Sequence, residues 1–351
     1  MLVTFNQCLL SMPFSLKNYN TFGIEADCSE LIEINNVDEL IRALSDARQK
    51  QKPVYLLGGG SNILLTRRRY AYRFLKNNIK GMEVVEDTPS SKTIKFGGGE
   101  IWQDAVEYAI KNNLGGIENL SLIPGTMGAA PIQNIGAYGV ELKDVFVKLE
   151  AVSLETYEVK TFNKDDCQFD YRNSVFKNTL KGKFCITQVY LELKKQSAVD
   201  THQLQLGYGD IQRVLKEKKI VSPTIQDVSK AVIEIRQSKL PDPKHIGNAG
   251  SFFKNPEIGL TELNNLKQKF PDIINFPTAN GSKLAAAWLI DQCGWKGKRR
   301  NNIGVHDRQA LVIVNYGDGT GSEIKKLCAD IQKSVQKKFG ITLSPEVNFV
   351  E

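Results

Sequence analysis

"PVYLLGGGSNILLT", residues 53–66, sets three glycines, a serine and an asparagine between two short apolar runs. How that loop is entered and left decides the fold. Upstream, "LIEIN" (31–35) reads as a strand, and "NVDELIRALSDARQKQ" (36–51) is an amphipathic helix with Val37, Leu40, Ile41 and Leu44 on one face. "PVYLL" then reads as a second strand and "ILLT" as a third, an α/β beginning. A Rossmann fingerprint would need a helix to start at the glycines. Here a strand follows, so that reading fails. Gly97 and Gly99 do precede a helix, "EIWQDAVEYAIKNN" (100–113), but Trp102 holds the third glycine position. No loop carries a GK[ST] phosphate motif either. The GGGSN loop is left as either a plain turn or a nest of backbone N–H groups around an anion.

Downstream, "VFVKLEAVSL" (145–154), "YEVKTFN" (157–163) and "KFCITQVYLELK" (183–194) alternate as antiparallel strands do. "GYGDIQRVLKEK" (207–218) and "TIQDVSKAVIEIRQSKL" (224–240) read as helices, with Pro241 and Pro243 ending the second. "KLAAAWLIDQCG" (283–294) is a helix stopped by Gly294, and "ALVIVNY" (310–316) is a buried strand. "GSEIKKLCADIQKSVQKKFG" (321–340) is a long amphipathic helix, and "TLSPEVNFV" (342–350) a last strand. Between these lies "GGIENLSLIPGTMGAAPIQNIGAYGVELKD" (115–144), glycine-rich, nearly uncharged and without clear periodicity. A loop of that length in a compact domain is either a buried, sharply turning segment or backbone laid against a large flat ligand.

The 351 residues exceed one typical domain, and 41% hydrophobic with 24% charged residues describes an ordinary globular protein. A net charge of +7 comes from scattered basic residues, the longest runs being Arg67–Arg69 and Lys298–Arg300. That is no nucleic-acid footprint, and it suits an enzyme of phosphorylated ligands. The six cysteines have no CxxC pair, so neither a zinc site nor a disulfide framework is expected, and no metal. "MLVTFNQCLLSMPF" (1–14) lacks the basic start and small-residue cleavage site of a secretory leader, and no apolar run reaches membrane-spanning length. A cytoplasmic monomer with no membrane partner is expected.

One hydroxyl stands out, Ser251 in "GNAGSFFKNP" (247–256). A hydrolase nucleophile would need GxSxG and a histidine with an acid partner. The second glycine is missing and only His202, His245 and His306 are present. His306, in "GVHDRQAL" (304–311), reads as structural.

"NTFGIEA" (20–26), "LLGGGSN" (56–62), "GIENLSLIPGTMGAAPIQNIGAYGVEL" (116–142), "YRNSVFK" (171–177), "LPDPKHIGNAGSFFKNP" (240–256), "AAWLIDQCGWKG" (286–297) and "SPEVNF" (344–349) together resemble the UDP-N-acetylenolpyruvoylglucosamine reductases. The resemblance runs in order over nearly the whole chain. "GYGD" (207–210) places it with the subclass whose substrate is covered by a tyrosine-bearing loop. It implies an α+β chain: a vanillyl-alcohol-oxidase-like, PCMH-type, two-lobed FAD-binding fold over residues 17–196, then a C-terminal α/β substrate-binding domain over 239–340. Lobe one would comprise about residues 1–80 joined by the C-terminal strand 341–351, and lobe two about 81–238. One segment departs: Arg67–Arg73 stands where the family has an acidic or aromatic residue and a glycine, which leaves the geometry of this loop open.

The implied reaction is NADPH-dependent reduction of UDP-N-acetylglucosamine enolpyruvate to UDP-N-acetylmuramate in peptidoglycan precursor synthesis. Hydride passes from FAD N5 to the methylene carbon, and a proton is added at the neighbouring carbon. The resemblance gives the cofactor to Gly58, Gly59, Gly60, Ser61, Asn62, Ser121, Pro124, Gly125, Gly128 and Gly136. It gives enolate stabilisation to Arg172, whose charged fork suits a carboxylate, and to Glu346. Ser251 becomes the proton donor, with Lys254 or a water in support. Tyr171, Tyr208, Lys239, Asn255 and Gln309 would bind the nucleotide sugar. NADPH using the same pocket first would make the kinetics ping-pong, with substrate inhibition.

Overall fold

The computed structural model describes residues 13–196, 204–207, 210–278 and 280–351. Its first sheet runs in the order Phe14–Ser15, Asp27–Ile34, Arg69–Asn77, Val54–Leu57, and its last three strands are parallel. The helix Val37–Gln49 makes the crossover. Asn36 starts it by accepting the Glu39 N–H at 2.9 Å, and Leu40, Ala43, Leu44 and Ala47 bury its inner face.

Two expectations are corrected here. The Arg67–Arg73 segment, read as a loop of open geometry, is from Arg69 a central strand of this sheet, with Tyr70 and Phe74 buried. Its strand character was masked by arginines, one of which is buried. Arg73 is 1% exposed because Glu30 (2.7 Å), Asp46 (2.6 Å) and the Ala43 carbonyl (3.0 Å) satisfy its guanidinium. Ile63–Leu65, the third strand of the simple α/β reading, does not join the sheet. It pairs in parallel with Asn348–Val350 from the far end of the chain.

The second sheet is antiparallel, in the order Val159–Asn163, Phe146–Ser153, Phe184–Lys195, Ser91–Gly97, Met82–Asp87. The helix Trp102–Lys111 packs on it through Trp102, Ala105, Val106 and Ala109. The glycine-rich run resolves into three 3₁₀ turns, Glu118–Leu120, Met127–Gln133 and Leu142–Asp144, and a two-residue ladder of Gly136–Ala137 with Val140–Glu141. Gly128 in it serves close backbone packing. A Cβ on Gly128 would lie 2.8 Å from the Ile186 carbonyl and 2.9 Å from that of Gly98.

Helices Ile211–Glu217 and Ile225–Lys239 form a pair with its own small core. The C-terminal part holds a four-stranded sheet, Gly247–Ser251, Val312–Asn315, Ile303–Val305, Arg299–Arg300, and a three-stranded one. Helices Leu260–Lys269, Ala286–Gln292 and Gly321–Phe339 cover them, and Gly340 ends the last with a left-handed φ of 75°. One core joins Phe22, Leu64 and Phe74 of the first region to Phe252, Leu289, Ile324 and Val350 of the last. Phe252 and Phe253, at 0% and 1% exposed, each contribute about 2–3 kcal/mol to anchoring the loop after Ser251. Among the described residues no helix is long and apolar enough to cross a membrane.

Candidate active site

A cleft of about 510 Å³ opens where the two sheets, the glycine-rich run and the C-terminal part meet. Its volume lies in the range of small-molecule sites. One wall is apolar, with Val54, Leu154, Leu180, Phe184 and Cys185. Another is the GGGSN loop with Pro124, Gly125 and Thr126. A third carries Tyr171, Arg172, Lys177, Arg236, Ser251, Asn255 and Glu346. Among the described residues no cluster of three or more potential metal ligands exists.

The GGGSN loop fits a diphosphate. The N–H groups of Gly59, Gly60, Ser61 and Asn62 donate to no acceptor among the described residues, though they line the cleft. Four adjacent unspent donors form a nest for an anion. The geometry requires glycine: Gly60 has φ +66°, and a Cβ on Gly59 would lie 3.0 Å from the Gly125 Cα. Asn62 Nδ2 ties the loop to Gln133 Oε1 (2.8 Å) and to the Glu346 carbonyl (3.3 Å). With the apolar wall beside this nest, the cleft suits FAD.

Arg172 is held in an unusual way. Asp170 and Asn173 exchange two backbone hydrogen bonds (3.1 and 3.0 Å), making a tight turn with Tyr171 and Arg172 at its tip. Arg172 takes φ +52°, where glycine would be cheapest. A non-glycine residue in that region costs about 1–3 kcal/mol, and such strain clusters at functional sites. The guanidinium meets Glu346 Oε1 at 3.1 Å and donates to the Gly136 carbonyl at 2.6 Å. Glu346 is fixed by its own backbone: its N–H donates to the Phe252 carbonyl at 2.8 Å, and Pro345 bridges Phe253. The regular strand begins only at Asn348, so Glu346 sits in the extended lead-in to it. Ser251 closes the strand before Phe252, opposite Val312 and after a bulge at Gly250 (φ +69°). It is exposed to the cleft, and among the described residues its hydroxyl has no hydrogen-bond partner.

The other expected residues divide. Tyr171 lines the cleft, with Lys283 Nζ 3.2 Å from its ring centroid. Asn255 lines it too and holds the start of helix Ala286–Gln292 by accepting the Ala286 N–H at 3.0 Å. Lys239 is off the cleft wall, paired with Asp210 at 2.5 Å. Gln309 also lies off the wall and accepts the Leu311 N–H. Ser121 is fully buried beneath the cleft, donating to the Glu118 carbonyl (2.6 Å) and meeting Ser229 Oγ (2.8 Å). Tyr208 lies outside the described residues. His306 is buried, its Nδ1 accepting the Arg308 N–H, and burial lowers its pKa.

Two cleft cations were missed. Arg236 continues the buried stripe of its helix (Val228, Val232), an odd place for arginine, and its Nε is buried without a partner. Lys177 ends the quoted "YRNSVFK" string, and burial with the neighbouring Lys254 pushes its pKa down to about 8.

The chain is similar to known proteins over nearly its whole length. Residues 242–350 match the model for the UDP-N-acetylenolpyruvoylglucosamine reductase C-terminal domain, and 29–161 an FAD-binding domain. The UDP-N-acetylenolpyruvoylglucosamine reductase of Flavobacterium johnsoniae is 46% identical over 96% of this chain and 98% of its own. That of Pseudomonas aeruginosa is 45% identical over 95% and 97%. A solved reductase from Thermus caldophilus superposes with a TM-score of 0.66 at 22% identity, over 97% of this chain and 98% of that one. A 6-hydroxy-D-nicotine oxidase from Arthrobacter nicotinovorans shares the fold at TM-score 0.51 and 14% identity, over 89% and 80%. At such full-length identity to curated relatives, with an FAD-binding region ahead of the matching C-terminal domain, the chain belongs to the UDP-N-acetylenolpyruvoylglucosamine reductase family.

Proposed function

We propose that this chain reduces UDP-N-acetylglucosamine enolpyruvate to UDP-N-acetylmuramate in peptidoglycan precursor synthesis, with NADPH as the donor. The observation that carries the proposal is the meeting of Arg172, Glu346 and an unpartnered Ser251 hydroxyl in one cleft. Bound FAD would relay two electrons from the nicotinamide to the enol ether. Residues 17–196 would serve mainly the cofactor and 239–340 the substrate, in a cytoplasmic monomer. The five described cysteines are all free, which suits a reducing compartment.

Charge that builds on the carbon next to the carboxylate must be held in place. Arg172 does this with a fork already aimed by Gly136 and Glu346, so little reorganisation accompanies the reaction. Ser251 Oγ then delivers its proton to that carbon. An alkyl hydroxyl is a weak acid, but a fixed, strongly basic acceptor lowers what is asked of it. The acidity is restored by proton transfer from solvent, which the exposed position of Ser251 allows.

Ser251→Ala separates the two half-reactions. Anaerobic NADPH should bleach the bound flavin at the wild-type rate, while reoxidation by the enolpyruvyl sugar should slow by about 10³-fold or more, in the upper range of general-acid effects. Equal loss in both half-reactions would overturn the assignment of Ser251. A protein that cannot take up FAD would overturn the functional reading as a whole.

A further inference from the structure

Lys177 is a cleft cation without an anion. It closes the 3₁₀ turn Val175–Lys177 and lines the cleft. Among the described residues its ammonium makes one hydrogen bond, to the Arg172 carbonyl at 3.3 Å. Among the described residues no carboxylate lies within ion-pair distance of it. Lys177 is half-buried, and a partly desolvated ammonium gains from a counter-charge, which an anionic group of a ligand in the cleft would supply.

The charges around Lys177 indicate which part of a ligand that is. Arg172 and Lys181 lie on its own segment, Lys254 on the loop after Ser251, and Glu346 on the C-terminal segment. Arg236, from helix Ile225–Lys239, lines the same cleft and feels the charge of Arg172. Three of these, Arg172, Glu346 and the Ser251 loop, belong to the reacting end of the cleft. The GGGSN nest does not contribute to this cluster. The one carboxylate present, Glu346, is already engaged by Arg172. Five cations, Lys177 included, with one carboxylate among them are short of negative charge.

We propose that Lys177, beside Arg172, is the second cation of a subsite for the ligand's carboxylate, and that it takes up a proton from solvent when the carboxylate binds. This rests on the functional reading above. It adds a residue to that reading and a coupling between ligand binding and pH.

The sign follows from linkage. In the ligand-free cleft, burial and Lys254 hold the Lys177 pKa down at about 8. An arriving carboxylate raises it again, since an opposite charge favours the charged form. Below about pH 8 Lys177 is already charged, and affinity is flat. Above it, binding must first protonate the amine, so affinity falls by up to about tenfold per pH unit. At about pH 8, about half a proton is taken up per ligand bound.

Titration calorimetry on the oxidised FAD-bound enzyme tests this, with enolpyruvyl UDP-N-acetylglucosamine and no NADPH, in buffers of different ionisation enthalpy. UDP-N-acetylglucosamine, which lacks the carboxylate, is the control. Wild type should show about half a proton taken up near pH 8 with the enolpyruvyl sugar and none with the control. Lys177→Met should bind the enolpyruvyl sugar about tenfold more weakly near pH 7, with no proton uptake. Lys177→Arg should keep the affinity but lose both the uptake and the decline at high pH, because arginine stays charged. Loss of affinity from mere misfolding would appear equally with both sugars. Proton uptake that survives in Lys177→Met, or is equal with the control sugar, overturns the subsite alone. Failure of wild type to bind either sugar overturns the functional reading, and the subsite falls with it.

Discussion

Gly60→Ala should uncouple the cofactor loop, and the structure sets the scale. Gly60 has φ +66°, and a Cβ there would stand 2.0 Å from the Tyr19 carbonyl oxygen and 2.8 Å from its carbon. Both atoms are backbone, so neither can rotate away. A left-handed L residue costs roughly 1–2 kcal/mol before any contact is counted. Relieving the clash means moving the loop off the Lys17–Tyr19 turn, which breaks the Thr21 N–H bond to the Gly60 carbonyl (3.1 Å) at about 1 kcal/mol more. The expected loss is about 2–3 kcal/mol, concentrated in the loop whose N–H groups face the cleft. Gly58→Ala is the internal control. Its φ is ordinary and its Cβ meets the Thr126 hydroxyl at 2.8 Å, a side-chain atom that can turn aside. That variant should lose less than about 1 kcal/mol. The assay is FAD content by visible absorbance after purification, with thermal unfolding at saturating FAD. Gly60→Ala should come out largely colourless and Gly58→Ala yellow. A Gly60→Ala protein with full flavin content and unchanged unfolding temperature would refute the reasoning, as would a reversed order.

Arg172→Lys replaces a fork with a point charge that cannot hold both Glu346 and the Gly136 carbonyl. Steady-state turnover should fall by about 10²–10³-fold, the scale of losing one charge-stabilising donor, with flavin content unchanged. Arg73→Met removes a buried cation whose partners, Glu30 and Asp46, are 34% and 41% exposed and can rehydrate. The cost should be about 2–4 kcal/mol, below or at the low end of a pair stranded in the interior, read as a lower urea midpoint; a change under about 0.5 kcal/mol would contradict the buried-strand account.

What could be read directly from the sequence was local. The helices Val37–Gln49 and Gly321–Phe339 announce themselves through a buried face and end signals, Asn36 at one start and Gly340 at the other stop. The antiparallel run Phe146–Lys195 shows its alternation. Sheet order was not legible, because the strand Arg69–Asn77 inserts between neighbours that precede it in the chain, and only tertiary ion pairs make Arg73 acceptable there. The glycine-rich run was legible as special but not for its whole reason. Gly128, and Gly97, Gly98 and Gly99 before the run, admit the close approach of other backbone, of residues 78–80, 98 and 186, which a sequence does not show. Ser121 and Ser61 look alike in a glycine-rich context, yet one is spent on Ser229 and the other faces the cleft. Motif matching also passes over residues whose significance is what they lack: Lys177 and Arg236 stand out only once their missing counter-charges are seen.

The placement of Glu346 explains why the chain's end returns to its beginning. A carboxylate that must meet Arg172 at 3.1 Å cannot ride on a free tail, since site geometry has to hold within about 0.5 Å. Asn348–Val350 therefore adds a parallel strand to Ile63–Leu65, the continuation of the GGGSN loop. Asn62 is the joint: its carbonyl accepts the Asn348 N–H at 3.0 Å while its amide donates to the Glu346 carbonyl. Thr66 and the Tyr70 hydroxyl lock the Val350 carbonyl at 2.6 and 2.9 Å, and a Cβ on Gly321 would fall on the Leu65 carbonyl, so the last long helix is pressed against the same strand. The proposed diphosphate nest and the proposed catalytic carboxylate are thus one mechanical unit. A flavin seated in the nest would therefore lie against the same strand pair that carries Glu346 to Arg172.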